Sequence, residues 1–175
     1  MAESHTFVAI DFETADNGRD SACAVALVRA EGDQIVRRSF SLIRPPRRQF
    51  LFTRVHGISW HHVADQPTFG EVWPRMAAIL EGADYLVAHN ASFDRGVLEA
   101  CCQAAGLRTP SLPFRCTMSL ARQAWGVRPT KLPDVCAFLN LSLNHHDPRS
   151  DAEACAGIML RLLQVSTNRH GVAQI

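Results

Sequence analysis

No stretch of this chain approaches the roughly 20 consecutive apolar residues of a membrane-spanning helix, so no membrane partner is expected. The opening residues Met1-Ala2-Glu3-Ser4-His5 lack the basic-then-apolar order of an export signal, and a cytoplasmic location is the expectation. The six cysteines (Cys23, Cys101, Cys102, Cys116, Cys136 and Cys155) include no Cys-x-x-Cys pair. That argues against a thiol redox motif and for buried free thiols in a reducing compartment. There is no internal repeat and no long low-complexity segment, which excludes a solenoid or a disordered chain. With 175 residues, 47% of them apolar, and a net charge of +1, the chain reads as one globular domain over residues 1–166. A C-terminal tail is expected over residues 167–175.

Lysine is also scarce, since Lys131 is the only one. The basic character is arginine, and it is uneven. Arg37, Arg38, Arg44, Arg47, Arg48 and Arg54 occur with no acidic residue among them. Such a stripe is either a phosphate-facing surface or an ordinary solvated edge.

What is present is organised around Val8-Ala9-Ile10-Asp11-Phe12-Glu13-Thr14. The run begins apolar and β-prone, as a buried strand does. Strand side chains alternate in direction, so Asp11 and Glu13 share one face while Phe12 packs on the other. Like charges at the end of a buried strand are costly unless a cation lies between them, and oxygen ligands favour Mg2+ or Mn2+. The plainer alternative is a pair of surface carboxylates at a strand end.

Two more strands, Cys23–Val28 and Gln34–Ile43, are expected to pair with the first in an antiparallel meander, which Pro45 and Pro46 end. Phe50 to His62 reads as irregular. Thr68-x-x-Glu71 has the form of a capping box ahead of Val72, Trp73, Met76, Ile79 and Leu80, although Pro74 predicts a bend or a start nearer Trp73. Tyr85–Ala88 reads as a short buried strand, followed by a helix over Ser92–Ala105 with Ser92 as its cap. Further helices are expected over Cys116–Trp125, Leu132–Leu139 and from Asp147-Pro148 to about Gln164. The order is that of an α/β domain with a mixed sheet.

Asp94 falls in the first turn of the helix after the Tyr85–Ala88 strand. The dipole alone favours an acid there, yet strand-to-helix junctions are also where α/β sheets bind ligands. Asp151 lies on one stripe with Cys155, Ile158 and Leu162, so its carboxylate belongs to the face that packs on the sheet and needs a partner. His146 precedes that helix, where it meets solvent, and its ordinary pKa near 6.5 suits a general base. His145 reads as a surface histidine.

Asp11-x-Glu13, Asn90-x-x-Phe93-Asp94 and His146-x-x-x-x-Asp151, in this order, resemble the motifs of the DEDDh 3′–5′ exonucleases. That family includes the proofreading subunit of bacterial DNA polymerase III, ribonuclease T and oligoribonuclease. The likeness runs from Val8 to about Leu163 and takes in Val55-His56-Gly57-Ile58. It implies a ribonuclease-H-like fold: a mixed α/β sheet with flanking helices. It also implies two divalent metal ions held by Asp11, Glu13, Asp94 and Asp151, with His146 as base. Thr14 and His56 match positions near the terminal nucleotide. One departure is Pro148-Arg149-Ser150, where small and apolar residues are more usual before the final aspartate.

The chemistry of the residues and the resemblance meet on phosphodiester hydrolysis. Two metals about 3.5–4 Å apart can lower the pKa of a water and stabilise the leaving 3′-oxygen. The resemblance implies release of nucleoside 5′-monophosphates. Phe93 is expected either to stack a base or to anchor Asp94 from within, with Asn90 beside it. Arg47 and Arg48 would follow the phosphate backbone. Three readings compete: an exonuclease acting alone on the 3′ end of single-stranded DNA or RNA, a proofreading module bound to a DNA polymerase, and an inactive nucleic-acid-binding domain. The four acids and His146 argue against the third, since a binding module gains nothing from carboxylates facing a polyanion, and the first is the favoured expectation. Relatives in the family also include homodimers.

Overall fold

The computed structural model describes residues 5–171. Strands β1 (Thr6–Thr14), β2 (Ala22–Glu31) and β3 (Gln34–Leu42) form the expected antiparallel meander. On the other side of β1, β4 (Tyr85–Ala88) and then β5 (Phe114–Cys116) add in parallel. The sheet order is β3-β2-β1-β4-β5, so pairing changes from antiparallel to parallel at β1. The expected mixed sheet is therefore present, with β5 as an unexpected strand whose last residue, Cys116, is where a helix was expected to start.

The helices are α1 (Thr53–His56), α2 (Trp60–Val63), α3 (Phe69–Met76), α4 (Ala91–Ala104), α5 (Thr117–Trp125), α6 (Leu132–Leu139) and α7 (Pro148–Gly171). They cover both faces of the sheet. Val8, Ile10 and Phe12 pack with residues of α3 and α4, including Trp73, Val97 and Leu98. Phe7 and Ala9 pack on the opposite face with α5, α6 and α7. By strand alternation Asp11 and Glu13 continue that second face and look toward α7. The buried stripe of α7 carries Ala152, Cys155, Ala156, Ile158 and Met159, whose small members let the helix lie close to β1 and β2.

Several local expectations need revision. The Glu71 carboxylate accepts from the Thr68 N–H and hydroxyl at 2.7 Å each, so α3 starts at Phe69 and runs through Pro74. A 3-10 turn over Ala77–Leu80 follows. The irregular stretch after Phe50 holds the single-turn helices α1 and α2. Helix α4 is capped by Asn90 rather than Ser92, because the chain leaves β4 through a left-handed residue (φ 69°), a conformation asparagine tolerates. The Asp147 side chain accepts the Arg149 N–H at 3.1 Å, and Pro148 is the first residue of α7, as expected. That helix continues past Gln164 to Gly171. The expected tail from residue 167 is thus helical through Gly171, and its remainder lies outside the described residues. All six cysteines are free thiols, five of them buried and Cys116 half-buried.

Candidate active site

The site forms at the C-terminal end of β1, where a bulge between Glu13 and Thr14 shifts the register against β2. Asp11, Glu13 and Asp151 each place a carboxylate oxygen so that the three lie within 4.8 Å of one another. Asp94, near the start of α4, reaches the same strand from the other side, and its Oδ1 accepts the Phe12 N–H at 3.0 Å. All four acids named from the sequence therefore converge, although Asp94 stands outside the close trio.

The electrostatics are those of crowded, desolvated carboxylates. Burial pushes Asp11 well above the usual range, and the charges of Asp94, Glu13 and Asp151 push it further. Glu13 is raised to about 8 by burial and then by Asp151. Asp94 is raised to about 8, chiefly by burial, against hydrogen bonds from Phe12 and its own backbone. Burial raises Asp151 too, against hydrogen bonds from His146 and His145. Asp11 Oδ2 and Asp151 Oδ1 are buried with no hydrogen-bond partner. Orphaned oxygens in an acidic trio fit hard divalent cations, which supply the missing partner and cancel the repulsion. Asp11, Glu13, Asp94 and Asp151 are the residues able to hold them.

His146 sits half-buried beside this cluster, and its backbone N–H donates to Asp151 Oδ2 at 3.1 Å. Its imidazole is held below its ordinary pKa by burial and by His145, with Asp151 opposing. His145 departs from the expected idle surface residue. It is exposed, but its Nδ1 lies 3.1 Å from Asp151 Oδ2 and its ring stacks on His146 at 3.8 Å between centroids. The signal was in the doubled histidine, but a contact with Asp151 needs the turn to be known. The Pro148-Arg149-Ser150 departure fastens this turn. Ser150 Oγ accepts the Asn144 N–H at 2.7 Å, and Arg149 pairs with Asp147 and lies over Phe40.

Thr14 and His56 are brought together as expected. The Ile58 N–H donates to His56 Nδ1 at 3.0 Å, so that nitrogen is an acceptor and Nε2 carries the proton it donates to the Thr14 carbonyl at 3.1 Å. Burial lowers the His56 pKa and keeps this neutral form. Asn90 and Phe93 are both exposed on the rim beside Asp94, which overturns the buried-anchor alternative for Phe93.

The basic stripe is another matter. Arg47 binds Asp16 through Nε and Nη2 at 2.8 and 3.0 Å, and Asp20 through Nη1 and Nη2 at 2.9 and 2.6 Å. Its expected role on phosphate is corrected, since a guanidinium engaged by two carboxylates has no free fork left. Arg38 pairs with Glu153 and Arg44 donates to the Ala64 carbonyl. Arg48 lies over Trp60 at 5.2 Å, a contact that leaves its N–H groups available.

A mixed sheet covered on both faces, with acids gathered at the end of its central strand, defines a ribonuclease-H-like fold. The RNase T family model, described as an exonuclease, matches residues 8–159. The chain is 30% identical over 164 residues to a PolC-type DNA polymerase III of Thermotoga maritima, covering 91% of this chain and 12% of that protein. It is 32% identical over 166 residues to the 3′-5′ exonuclease DinG of Bacillus subtilis, covering 90% of this chain and 18% of that protein. This chain thus spans only a small part of these relatives. Exonuclease X in complex with 5′ overhanging duplex DNA matches with a TM-score of 0.70 at 26% identity, covering 93% of this chain and 92% of that one. The nuclease domain of 3′hExo, a DEDDh family member bound to rAMP, matches with a TM-score of 0.78 over 93% and 94% of the two chains. Its identity of 19% bears on the fold alone. The chain belongs to the DEDDh 3′–5′ exonuclease family. Among the described residues no helix is long and apolar enough to cross a membrane.

Proposed function

We propose that this protein hydrolyses the terminal phosphodiester at the 3′ end of single-stranded DNA or RNA and releases nucleoside 5′-monophosphates. The observation that carries the reading is the convergence of Asp11, Glu13 and Asp151 with buried, unpartnered oxygens, flanked by Asp94 and His146. Asp11, Glu13, Asp94 and Asp151 hold two divalent cations, Mg2+ or Mn2+. When bound, the cations polarise the attacking water and offset charge on the leaving 3′-oxygen. His146 takes the proton from that water, and the hydrogen bond from its backbone N–H to Asp151 Oδ2 keeps its loop against the site. His56, fixed by Thr14, shapes the place of the terminal sugar, and Phe93 offers an exposed aromatic face to a base. Arg48 remains as a cation for the phosphate chain.

The test is digestion of end-labelled single-stranded DNA, single-stranded RNA and duplex DNA with a 5′ overhang, each with Mg2+ and with Mn2+. Mononucleotides released from the 3′ end only with metal support the reading. Release from the 5′ end, or full activity in EDTA, overturns it. A second reading has one specific support: the match to about one-eighth of the length of PolC-type polymerases. In that reading the domain proofreads beside a polymerase, and mismatched 3′ ends on duplex DNA are its preferred substrate.

A further inference from the structure

Beside the all-oxygen trio lies a second set of donors with different chemistry. His145, His146 and Asp151 each place one ligand atom within 4.8 Å of the others. Neighbouring residues in extended chain point apart, but His146 adopts a left-handed conformation (φ 71°) and both imidazoles stack on one side of the turn. The Asp151 side chain is only 6% exposed, and its Oδ1 has no partner. Two imidazole nitrogens and a carboxylate are poor ligands for Mg2+ and good ones for Zn2+, which accepts such sets with an open fourth position.

We propose that His145, His146 and Asp151 form a transition-metal site that takes Zn2+. Zinc there occupies the His146 ring and the Asp151 carboxylate, two groups that the proposed hydrolysis needs, so it inhibits. The inhibition, but not the binding, rests on the proposed function.

The experiment is calorimetric titration of the full chain with ZnCl2 in excess Mg2+, for the wild type, His145→Ala and His145→Phe. The phenylalanine keeps a ring stacked on His146 and removes the nitrogen, so it serves if the alanine variant folds poorly. The wild type is expected to bind one tight Zn2+, and both variants to bind it at least about tenfold more weakly. Nuclease inhibition, normalised to the zinc-free rate of each variant, should shift in parallel. Binding lost with His145 without any inhibition upholds the site and counts against His146 in hydrolysis. Equal zinc affinity in wild type and His145→Phe overturns the proposal.

Discussion

The Phe12 N–H donates to Asp94 Oδ1 across 82 residues of sequence, and the bond is buried. It ties the first turn of α4 to the strand that carries Asp11 and Glu13. Asp94 thus has two duties that mutation can separate. Asp94→Asn keeps an acceptor oxygen and removes a crowded charge. Asp94→Ala leaves the Phe12 N–H buried and unsatisfied, a cost of about 1–3 kcal/mol. Both variants should lose hydrolysis. In EDTA the alanine variant should melt below the asparagine variant by about 2–4 °C per kcal/mol of that cost. Equal melting temperatures would show that the bond contributes nothing.

The raised carboxyls make the metal-free protein sensitive to pH. Glu13 and Asp94 sit at about 8 when folded, against ordinary values near 4 when unfolded. Below pH 4 both states hold these protons and the stabilising contribution is complete. As pH rises toward 8 the unfolded chain releases protons that the folded chain keeps, so stability falls. Thermal melts in EDTA should therefore decline between about pH 4 and 8. Mg2+ or Mn2+ should shrink that decline, because metal binding releases the same protons. A flat profile in EDTA would argue against crowding among the acids.

Arg47 should matter for the fold and little for nucleic acid. Arg47→Ala strips the partner from Asp16, a buried acid that Arg47 holds at about 2. The guanidinium is itself 41% exposed, so the loss should be on the order of 1 kcal/mol, or a fall of about 2–4 °C in Tm. The salt dependence of substrate binding should match that of the wild type. A flattened slope would restore Arg47 to the phosphate track. Arg48→Ala is the contrasting variant, expected to flatten the slope by about one unit.

His146→Ala should lower the rate at saturating substrate by about 10²–10⁴-fold while substrate still binds. The wild-type rate should fall as pH drops through a value below about 6.5, since burial and His145 hold the ring under its ordinary pKa. The variant should lose that acid limb. His145→Ala should cost less, through the lost contact with Asp151 and the lost stack on His146. If the limb survives in His146→Ala, the base is another group.

Much of this was legible in local sequence, and the failures share a cause. Alternation put Asp11 and Glu13 on one face, and helical spacing put Asp151 on the buried stripe of α7; both hold. Thr68 with Glu71 and Asp147 with Pro148 marked helix starts within a few residues. The three-residue strand β5 was too short for any period to show. The partners of Arg47 lie 27 and 31 residues upstream, so an acid-free window around it said nothing about charge in space. The left-handed turns at Asn90 and His146 decide which side chains meet, and no composition rule announces them.

The close seating of α7 on β1 and β2 has a consequence for how this chain can vary. Ala152, Cys155 and Ala156 sit at the contact, within about a turn and a half of Asp151. A larger side chain there lifts the helix, and with it travel Asp151 and the turn that bears both histidines. Asp11, Glu13 and Asp94 stay behind with the strand. Such a substitution would leave a folded protein whose acids no longer face one another. At these inert positions, drift in size is drift in chemistry.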